Sequence, residues 1–500
     1  MPPPGTCRSI AHVLRPALTT AALALLASCA AGPDYVRPPV EVPAAYKEGW
    51  KTAEPRPVDS RQPWWQSYGD ETLNSLVVDA TAANQNIREA EARFRQARAV
   101  ADAARAGFFP TVGASVSAGR GVSSSTGLDT TAFSAGLSAS WEPDLWGGVR
   151  RSVEGGEAGA AASADDLAAA RLSIQAAVAT DYLQLRYIDV QRELFDNTVV
   201  AYTRALKLTQ AQYAAGVVLR SDVALAQTQL KTAQAQGVDL DASRSQLEHA
   251  IAILTGRSPA SFALAAVSPA DQFQARMPAI PASLPSELLE RRPDIAAAER
   301  RAASANANIG VARAAYYPSL LLGASGSGIG ATFASLLDTP GRVWSLGATL
   351  AQTFFDGGLR RARSAQAEAA YDVSVAQYKE TVLGGFQQVE DDLASLRVLD
   401  QETTLQDEAV TAARLAEQLA LAQYRGGTAT YLAVVTAQTL ALSAQRTAVQ
   451  LRSRQLTTSV ALITATGAGW SPSGDGLATG RSAAPSFASP IATASTSSAK

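Results

Sequence analysis

Trp141-Glu142-Pro143-Asp144-Leu145-Trp146-Gly147-Gly148-Val149-Arg150-Arg151 joins two different periodicities. Just upstream, Phe133, Ala135, Leu137, Ala139 and Trp141 alternate with Ser134, Gly136, Ser138 and Ser140. A period of two gives a strand with one apolar and one polar face. Downstream, 149–213 holds no clear breaker before Gly216. That is roughly 97 Å of helix at 1.5 Å per residue, far beyond the mean globular helix.

The same junction returns later in the chain. Asp356-Gly357-Gly358-Leu359-Arg360-Arg361 matches Trp146-Gly147-Gly148-Val149-Arg150-Arg151 at an offset of 210. Asn86-Ile87 matches Asp294-Ile295, and Phe108-Phe109-Pro110 matches Tyr316-Tyr317-Pro318, both at 208. Gln212-Tyr213-Ala214-Ala215-Gly216 matches Gln423-Tyr424-Arg425-Gly426-Gly427 at 211, as does Thr255-Gly256 with Thr466-Gly467. Five matches in order, with nearly constant offset, read as a tandem duplication. The copies run 71–259 and 287–468, with a linker at 260–286.

Each copy has one layout. In the first, 72–108 reads as one helix from Ile87, Ala90, Phe94, Ala97, Val100 and Ala104, stopped by Pro110. A hairpin follows at 111–141, then the long helix, a glycine turn and a second helix over 221–254. In the second, helix 294–316 leads to a hairpin at 319–355, with strands 319–328 and 343–355. Helix 359–424 and helix 431–464 complete it. The pairs Gly155-Gly156 and Gly384-Gly385 are expected to mark bends.

Composition narrows the function. Of 500 residues, Lys+Arg is 43 against Asp+Glu 45, so no basic excess points to nucleic acid. Two His and two Cys leave little for a metal site or a disulfide scaffold. No nucleophile elbow, P-loop or HExxH is present. His249 has no second histidine nearby and reads as structural, and Glu390-Asp391-Asp392 reads as a solvated or pore-facing patch. The chain is expected to be no enzyme and to need no cofactor.

The start sets the compartment. Arg8, His12 and Arg15 precede an apolar run over 17–27, too short to span a bilayer but suited to a secretory signal. Leu26-Ala27-Ser28-Cys29 resembles a bacterial lipobox. Residues 1–28 are then a signal peptide, and Cys29 carries a covalent diacylglycerol and N-acyl lipid, a two-chain anchor. A soluble exported protein with a chance cysteine is the other reading. Ala30, not Asp, follows the cysteine, which favours the outer membrane. No later stretch reaches 18 apolar residues, so spanning would need closed β-strands. The end, 469–500, is Gly/Ser/Ala/Thr/Pro-rich and is expected to be disordered.

Four strands cannot close a barrel, since small barrels need about eight or more. Several chains must contribute, and three would give twelve strands. Helices near 100 Å likewise need lateral neighbours. A solvated single hairpin is the alternative.

These residues resemble the TolC-like outer-membrane efflux channels, most closely their NodT/OprM-type lipoprotein branch. Gly32-Pro33-Asp34-Tyr35-Val36-Arg37-Pro38-Pro39 looks like the branch's opening motif. Trp64-Trp65-Gln66-Ser67-Tyr68-Gly69-Asp70-Glu71-Thr72-Leu73 looks like its double-tryptophan motif. Arg291-Arg292-Pro293-Asp294-Ile295 and the two strand-to-helix junctions match as well. The resemblance covers almost the whole chain beyond the signal. It implies a mainly α fold with a small β part. The implied homotrimer has a 12-stranded outer-membrane β-barrel, four strands per chain. That barrel continues into a 12-helix periplasmic α-barrel with a mixed equatorial domain. The anchored segment 29–70, 257–286 and the region after 465 would supply that equator. The implied partners are a periplasmic adaptor (membrane fusion) protein, an inner-membrane pump of the RND type and outer-membrane lipid, with no nucleic acid.

The resemblance also marks a periplasmic gate at the two helix turns. Tyr213 and Gly216, and Tyr424, Arg425 and Gly427, match the family's tip motif. The tyrosines would cap the pore as an amphipathic ring. Asp222 matches an acidic tip residue that could pair with Arg220 or Arg425; it could equally be a helix N-cap after Ser221. The second turn departs from the pattern, because Thr428-Ala429-Thr430-Tyr431 carries no charge, and Ala433 and Thr436 supply no carboxylate ring. Its gate then rests on Tyr424 and Tyr431. Export of drugs or small toxic solutes through a passive duct is the expected function. A type I protein-secretion duct and a non-channel envelope scaffold are the alternatives.

Overall fold

The computed structural model describes residues 31–43, 45–47, 63–122, 129–267, 277–278, 291–337, 342–468 and 470. The signal peptide, Cys29, most of 260–286 and nearly all of 469–500 lie outside the described residues.

In chain order the elements are α1 (Glu71–Ala83), α2 (Gln85–Ala106), β1 (Thr111–Val122), β2 (Asp129–Trp141), α3 (Gly148–Ala214), α4 (Arg220–Leu254), α5 (Pro293–Ala314), β3 (Ser319–Gly330), β4 (Arg342–Ala351), α6 (Leu359–Arg425) and α7 (Tyr431–Ala465). α3 and α6 each have 67 residues, about 100 Å at 1.5 Å per residue.

The junction stretch owes its shape to two carboxylates. Asp144 accepts hydrogen bonds from the Val149 and Arg150 amides at 3.0 and 2.9 Å, covering free donors in the first turn of α3. Asp356 does the same for α6, accepting from the Gly358 amide at 2.9 Å and the Arg360 amide at 3.2 Å. Each Asp also takes a guanidinium one turn in, Arg150 at 3.1 Å and Arg360 at 2.6 Å.

The expected helix over 72–108 is two helices. Asn84 has an extended ψ of 133° and caps α2, accepting from the Asn86 amide at 2.9 Å and the Ile87 amide at 3.3 Å. Its amide group donates to the Leu254 carbonyl at the end of α4, at 2.9 Å. α4 therefore abuts α2 end to end, carbonyl end to amide end, which is the favourable dipole order. The second copy does likewise: Arg292, the residue before α5, donates to the Ala465 carbonyl at the end of α7 at 3.1 Å.

The wall thus has four staves per chain. On the barrel side, α2, α3, α5 and α6 lie side by side; on the far side, α4, α3, α7 and α6 do. α3 and α6 run on as helix through Gly155-Gly156 and Gly384-Gly385. Gly156 instead lets Ala101 of α2 approach, since a Cβ there would lie 3.0 Å from the Ala101 Cα.

The main core sits where the staves change. Leu73, Leu76 and Val77 of α1 meet Val178, Tyr182 and Leu185 of α3, Ile251 of α4 and Val460 of α7. A second cluster joins Ile295 of α5, Tyr378, Val382 and Phe386 of α6 and Leu462 of α7. No helix among the described residues is long and apolar enough to cross a membrane.

The strands form one antiparallel sheet in the order β1-β2-β3-β4. The register aligns rows of like character. Ala114, Leu137, Gly326 and Trp344 form one row, and Val112, Ala139, Ala324 and Leu346 the next. The opposite face carries the serine pairs Ser117–Ser134 and Ser325–Ser345, bonded at 2.8 and 2.9 Å. β4 ends at Ala351 rather than 355, and Phe354 and Phe355 lie outside it, almost fully exposed. The alternation runs on past the strand, but the Asp356 cap already turns the chain into α6. β3 extends two residues beyond the expected 328.

Candidate functional site

The tips of the two helical hairpins share one backbone geometry. Gly216 and Gly427 both have φ +72°. The Val217 amide reaches the Gln212 carbonyl at 2.9 Å, and the Thr428 amide reaches the Gln423 carbonyl at 2.9 Å. Glycine enters this left-handed conformation without a Cβ penalty. Both turns therefore reverse the chain where the sequence places them.

The side chains at the tips are not equivalent. Tyr213 is 47% exposed, whereas Tyr424 and Tyr431 are 6% and 3% exposed. The Tyr424 and Tyr431 rings pack at 5.3 Å, tilted by 59°, against Ala226 of α4 and Val434 of α7. The Tyr424 hydroxyl donates to Gln212 Oε1 at 2.5 Å. Of the three tyrosines, only Tyr213 is exposed in the single chain. Tyr424 and Tyr431 instead tie the α6–α7 tip to the α3–α4 tip within one chain. Gln229 and Thr439 add a second tie between α4 and α7 at 2.9 Å.

Asp222 is not the N-cap but the third residue of α4. α4 begins at Arg220, so Leu219 holds the cap position. The Asp222 carboxylate reaches back and accepts from the Leu219 amide at 3.3 Å. Among the described residues, no ion pair joins Asp222 to Arg220 or Arg425, and both arginines are exposed. Burial, then Tyr424 and Asp222 nearby, push the Tyr431 hydroxyl up to about 12, so it stays neutral.

Three features escaped the sequence reading. Gln212 is one; its place before Tyr213, mirrored by Gln423 before Tyr424, was the available signal. The second is the path of the opening motif. The Ala31 amide bonds the Trp146 carbonyl at 3.0 Å, at the base of the sheet. Arg151, whose side chain is 7% exposed, donates to Asp34 at 2.7 Å and to the Ala31 carbonyl at 3.3 Å. Further on, Arg37 donates to the Tyr378 hydroxyl at 3.2 Å and the Lys47 amide to Glu390 at 2.7 Å. Residues 31–43 and 45–47 form a strap from the sheet base to the second core cluster.

The third feature is the enclosure of Asp392, in the run read from sequence as solvated or pore-facing. Its Oδ2 is enclosed without a hydrogen-bond partner among the described residues. Burial, reinforced by Asp391, pushes its carboxyl up to about 7. A raised acid binds its proton more tightly in the folded chain than in the unfolded one. The penalty is absent below the unfolded value near ~4, grows as pH rises and is complete above about 7. Asp392→Asn is therefore expected to raise the thermal midpoint at pH 8 while leaving it nearly unchanged at pH 4. Equal shifts at both pH values would contradict this burial. His249 is exposed, and no group of three metal-ligating side chains occurs among the described residues.

Against this geometry, the family model described as "Outer membrane efflux protein" matches residues 76–257 and 284–468. The chain belongs to the outer membrane efflux protein family. Among relatives of this family, it is 34% identical to the pyoverdine export outer membrane protein OpmQ of Pseudomonas aeruginosa, over 84% of this chain and 90% of that one. It is 30% identical to the toluene efflux pump outer membrane protein TtgC of Pseudomonas putida, over 89% and 94%. Among solved family structures, the outer-membrane channel OprN superposes with a TM-score of 0.81 at 31% identity, covering 89% of this chain and all of that one. The open state of the Neisseria gonorrhoeae MtrE channel gives 0.78 at 29%, over 88% and 98%. The fold is the TolC-like one and the protein is an outer-membrane efflux channel. The apolar rows of the sheet therefore face lipid and the serine rows face the lumen.

Proposed function

We propose that this chain is the passive duct of a tripartite efflux system, active as a homotrimer anchored by acylated Cys29. The sheet carries the reading. β1 and β4 are both edges, and an open edge in lipid leaves unsatisfied amides and carbonyls. Pairing β4 of one chain with β1 of the next removes every edge at twelve strands. Helical staves, four abreast in each chain, would then make a tube of twelve. The strap is compatible with the anchor, because the Ala31 amide is held at the sheet base by the Trp146 carbonyl.

A periplasmic adaptor and an inner-membrane pump of the RND type supply selection and energy. The duct itself contributes a wall and a gate, and no catalysis. The relatives' named cargoes, pyoverdine and toluene, are small solutes, and drugs or small toxic solutes are the proposed cargo here.

The test uses the full chain expressed in a Gram-negative host. It is expected to incorporate labelled palmitate, run as a trimer in mild detergent and conduct in planar bilayers. Cys29→Ser is expected to abolish the label. Persistent label in that variant would refute the anchor, and a monomer without conductance would refute the duct.

A further inference from the structure

The duplication repeats contacts as well as sequence. α2 and α5 each have 22 residues and lie 208 apart; α3 and α6 each have 67 and lie 211 apart. Arg105 of α2 pairs with Glu157 of α3 at 2.5 Å, and Arg313 of α5 pairs with Glu368 of α6 at 2.9 Å. Trp141 Nε1, at the end of β2, donates to the Phe108 carbonyl at 3.1 Å. Gln352 Nε2, just past β4, donates to the Tyr316 carbonyl at 3.1 Å. Each second contact lies 208 and 211 residues on from the first. The two copies therefore present equivalent residues at equivalent heights.

One seam has no counterpart inside the chain, the packing of α3 from the first copy on α5 from the second. There Ser304 Oγ donates to the Gly155 carbonyl at 2.8 Å. A Cβ built on Gly155 would lie 3.5 Å from the Ala307 Cβ, and one on Gly159 would lie 3.8 Å from Ser304 Oγ. At the same offsets, Gly155 and Gly159 become Gln366 and Ala370 of α6, while Ala307 and Ser304 become Ala99 and Gln96 of α2. All four are exposed, and α6 and α2 are the two outer staves of the row. Val373 is 56% exposed on α6 where its equivalent, Ala162 of α3, is 3% exposed. The ion pair of the inner seam is not repeated. Arg301 meets Asp166, but Gln377 stands in the place of Asp166, and Arg93, in the place of Arg301, is paired with Glu89.

The strands give the same register. β2 and β3 align Leu137 with Gly326 and Ala139 with Ala324. The offsets carry these pairs to Ala348 with Ala118 and Leu350 with Val116, so β4 would meet β1 lipid face to lipid face. A slip of one residue would turn every side chain of one strand to the wrong face.

We infer that the α6–β4 flank of one copy receives the α2–β1 flank of the next in the register of the α3–α5 seam, with Gln366 against Ala99 and Ala370 against Gln96. The occupant is a second copy of this chain: α6 offers the flank with which α3 holds α5, and the equivalent of α5 is α2. The joint is heterologous, one flank to the other, and such joints close into rings when the rotation permits. This inference rests on the proposed homotrimer and adds which residues meet across it.

Disulfide trapping tests it in the full acylated chain. Cys7 and Cys29 are the chain's two cysteines, both outside the tube, and wild type gives the background. A disulfide needs Cβ atoms about 3.5–4.5 Å apart, and the inner seam supplies 3.5 Å at Gly155 and Ala307. Outer membranes carrying Ala99→Cys with Gln366→Cys, or Gln96→Cys with Ala370→Cys, are oxidised and run without reductant. Both matched pairs are expected to give covalent dimers and trimers that reductant returns to monomer. The swapped pairs, Ala99→Cys with Ala370→Cys and Gln96→Cys with Gln366→Cys, displace the partners by about 6 Å along the helix, beyond disulfide reach. They are expected to give no more than the single variants. Swapped pairs that link as well as matched ones overturn the register. Trimers in mild detergent with no link from either matched pair overturn the joint while leaving the homotrimer standing; should one matched pair not assemble, the other decides. A monomeric wild type removes the homotrimer and this joint with it.

Discussion

Asp189→Ala is expected to destabilise the equator by about 3–5 kcal/mol, the range for breaking a buried ion pair from one side. Asp189 and Arg186 have side chains only 4% and 6% exposed. The carboxylate takes Arg186 at 3.1 Å and Arg244 at 2.7 Å. It also accepts from the Val267 amide at 3.4 Å. The two guanidiniums in turn hold backbone: Arg186 donates to the Ala265 carbonyl and Arg244 to the Leu264 carbonyl, both at 2.7 Å. Glu248 completes the set, accepting from the Leu264 amide and pairing with Arg244 at 3.3 Å. Two cations and two anions thus clamp the chain leaving α4 onto α3. Removing Asp189 leaves Arg186 buried opposite no carboxylate, and that desolvation dominates the lost contacts. Asp189→Asn keeps an acceptor and should cost less. The check is amide exchange at Leu264 and Val267 with the thermal midpoint of the purified channel. Protection at both amides should collapse in Asp189→Ala. Wild-type protection there would show that the clamp does not hold this segment.

That network illustrates which parts of the molecule could be read in one dimension. α3 and α6 were legible because nothing breaks their helical stretches and because the chain repeats them. Gly216 and Gly427 were legible because a hairpin turn needs a left-handed residue and glycine supplies it cheaply. The strand faces were legible because alternation is local. The helix break at Asn84 was missed because three- and four-residue spacing continues across it from Leu76 and Ala80 to Ile87. Its cause is the end of α4, which lies 170 residues away in sequence. Asp189 and Arg244 are 55 residues apart, and their meeting depends on the packing of α3 on α4. The tyrosines fail for a similar reason. Tyr213 and Tyr424 occupy matching places in the repeat, yet one is exposed and one buried. The difference comes from Tyr431, across the same turn, and from Gln212, which reaches Tyr424 only after both hairpins are in place.

Tyr431→Ala is expected to open the tip more than any other single change there. The tip contacts join the two hairpins of one chain, so any opening that separates those hairpins must break them. Tyr431 is nearly fully buried between them, and truncating a buried aromatic costs about 3–5 kcal/mol. In a closed arrangement held by these contacts, the cost falls on that state and shifts population towards the open one. Tyr424→Phe is the finer probe. It keeps the ring against Tyr431 and removes only the hydroxyl bonded to Gln212. A hydrogen bond of this kind contributes about 0.5–1.5 kcal/mol, so the open-to-closed ratio should rise about two- to tenfold. Tyr213→Phe, at an exposed position, should change it little. Single-channel recording in planar bilayers measures the ratio directly. The expected order of open probability is Tyr431→Ala, then Tyr424→Phe, then wild type together with Tyr213→Phe. A folded Tyr431→Ala trimer with wild-type open probability would mean that the hairpins move as one body. The gate would then lie between chains, at the exposed Tyr213, Arg220 and Arg425, instead of within them.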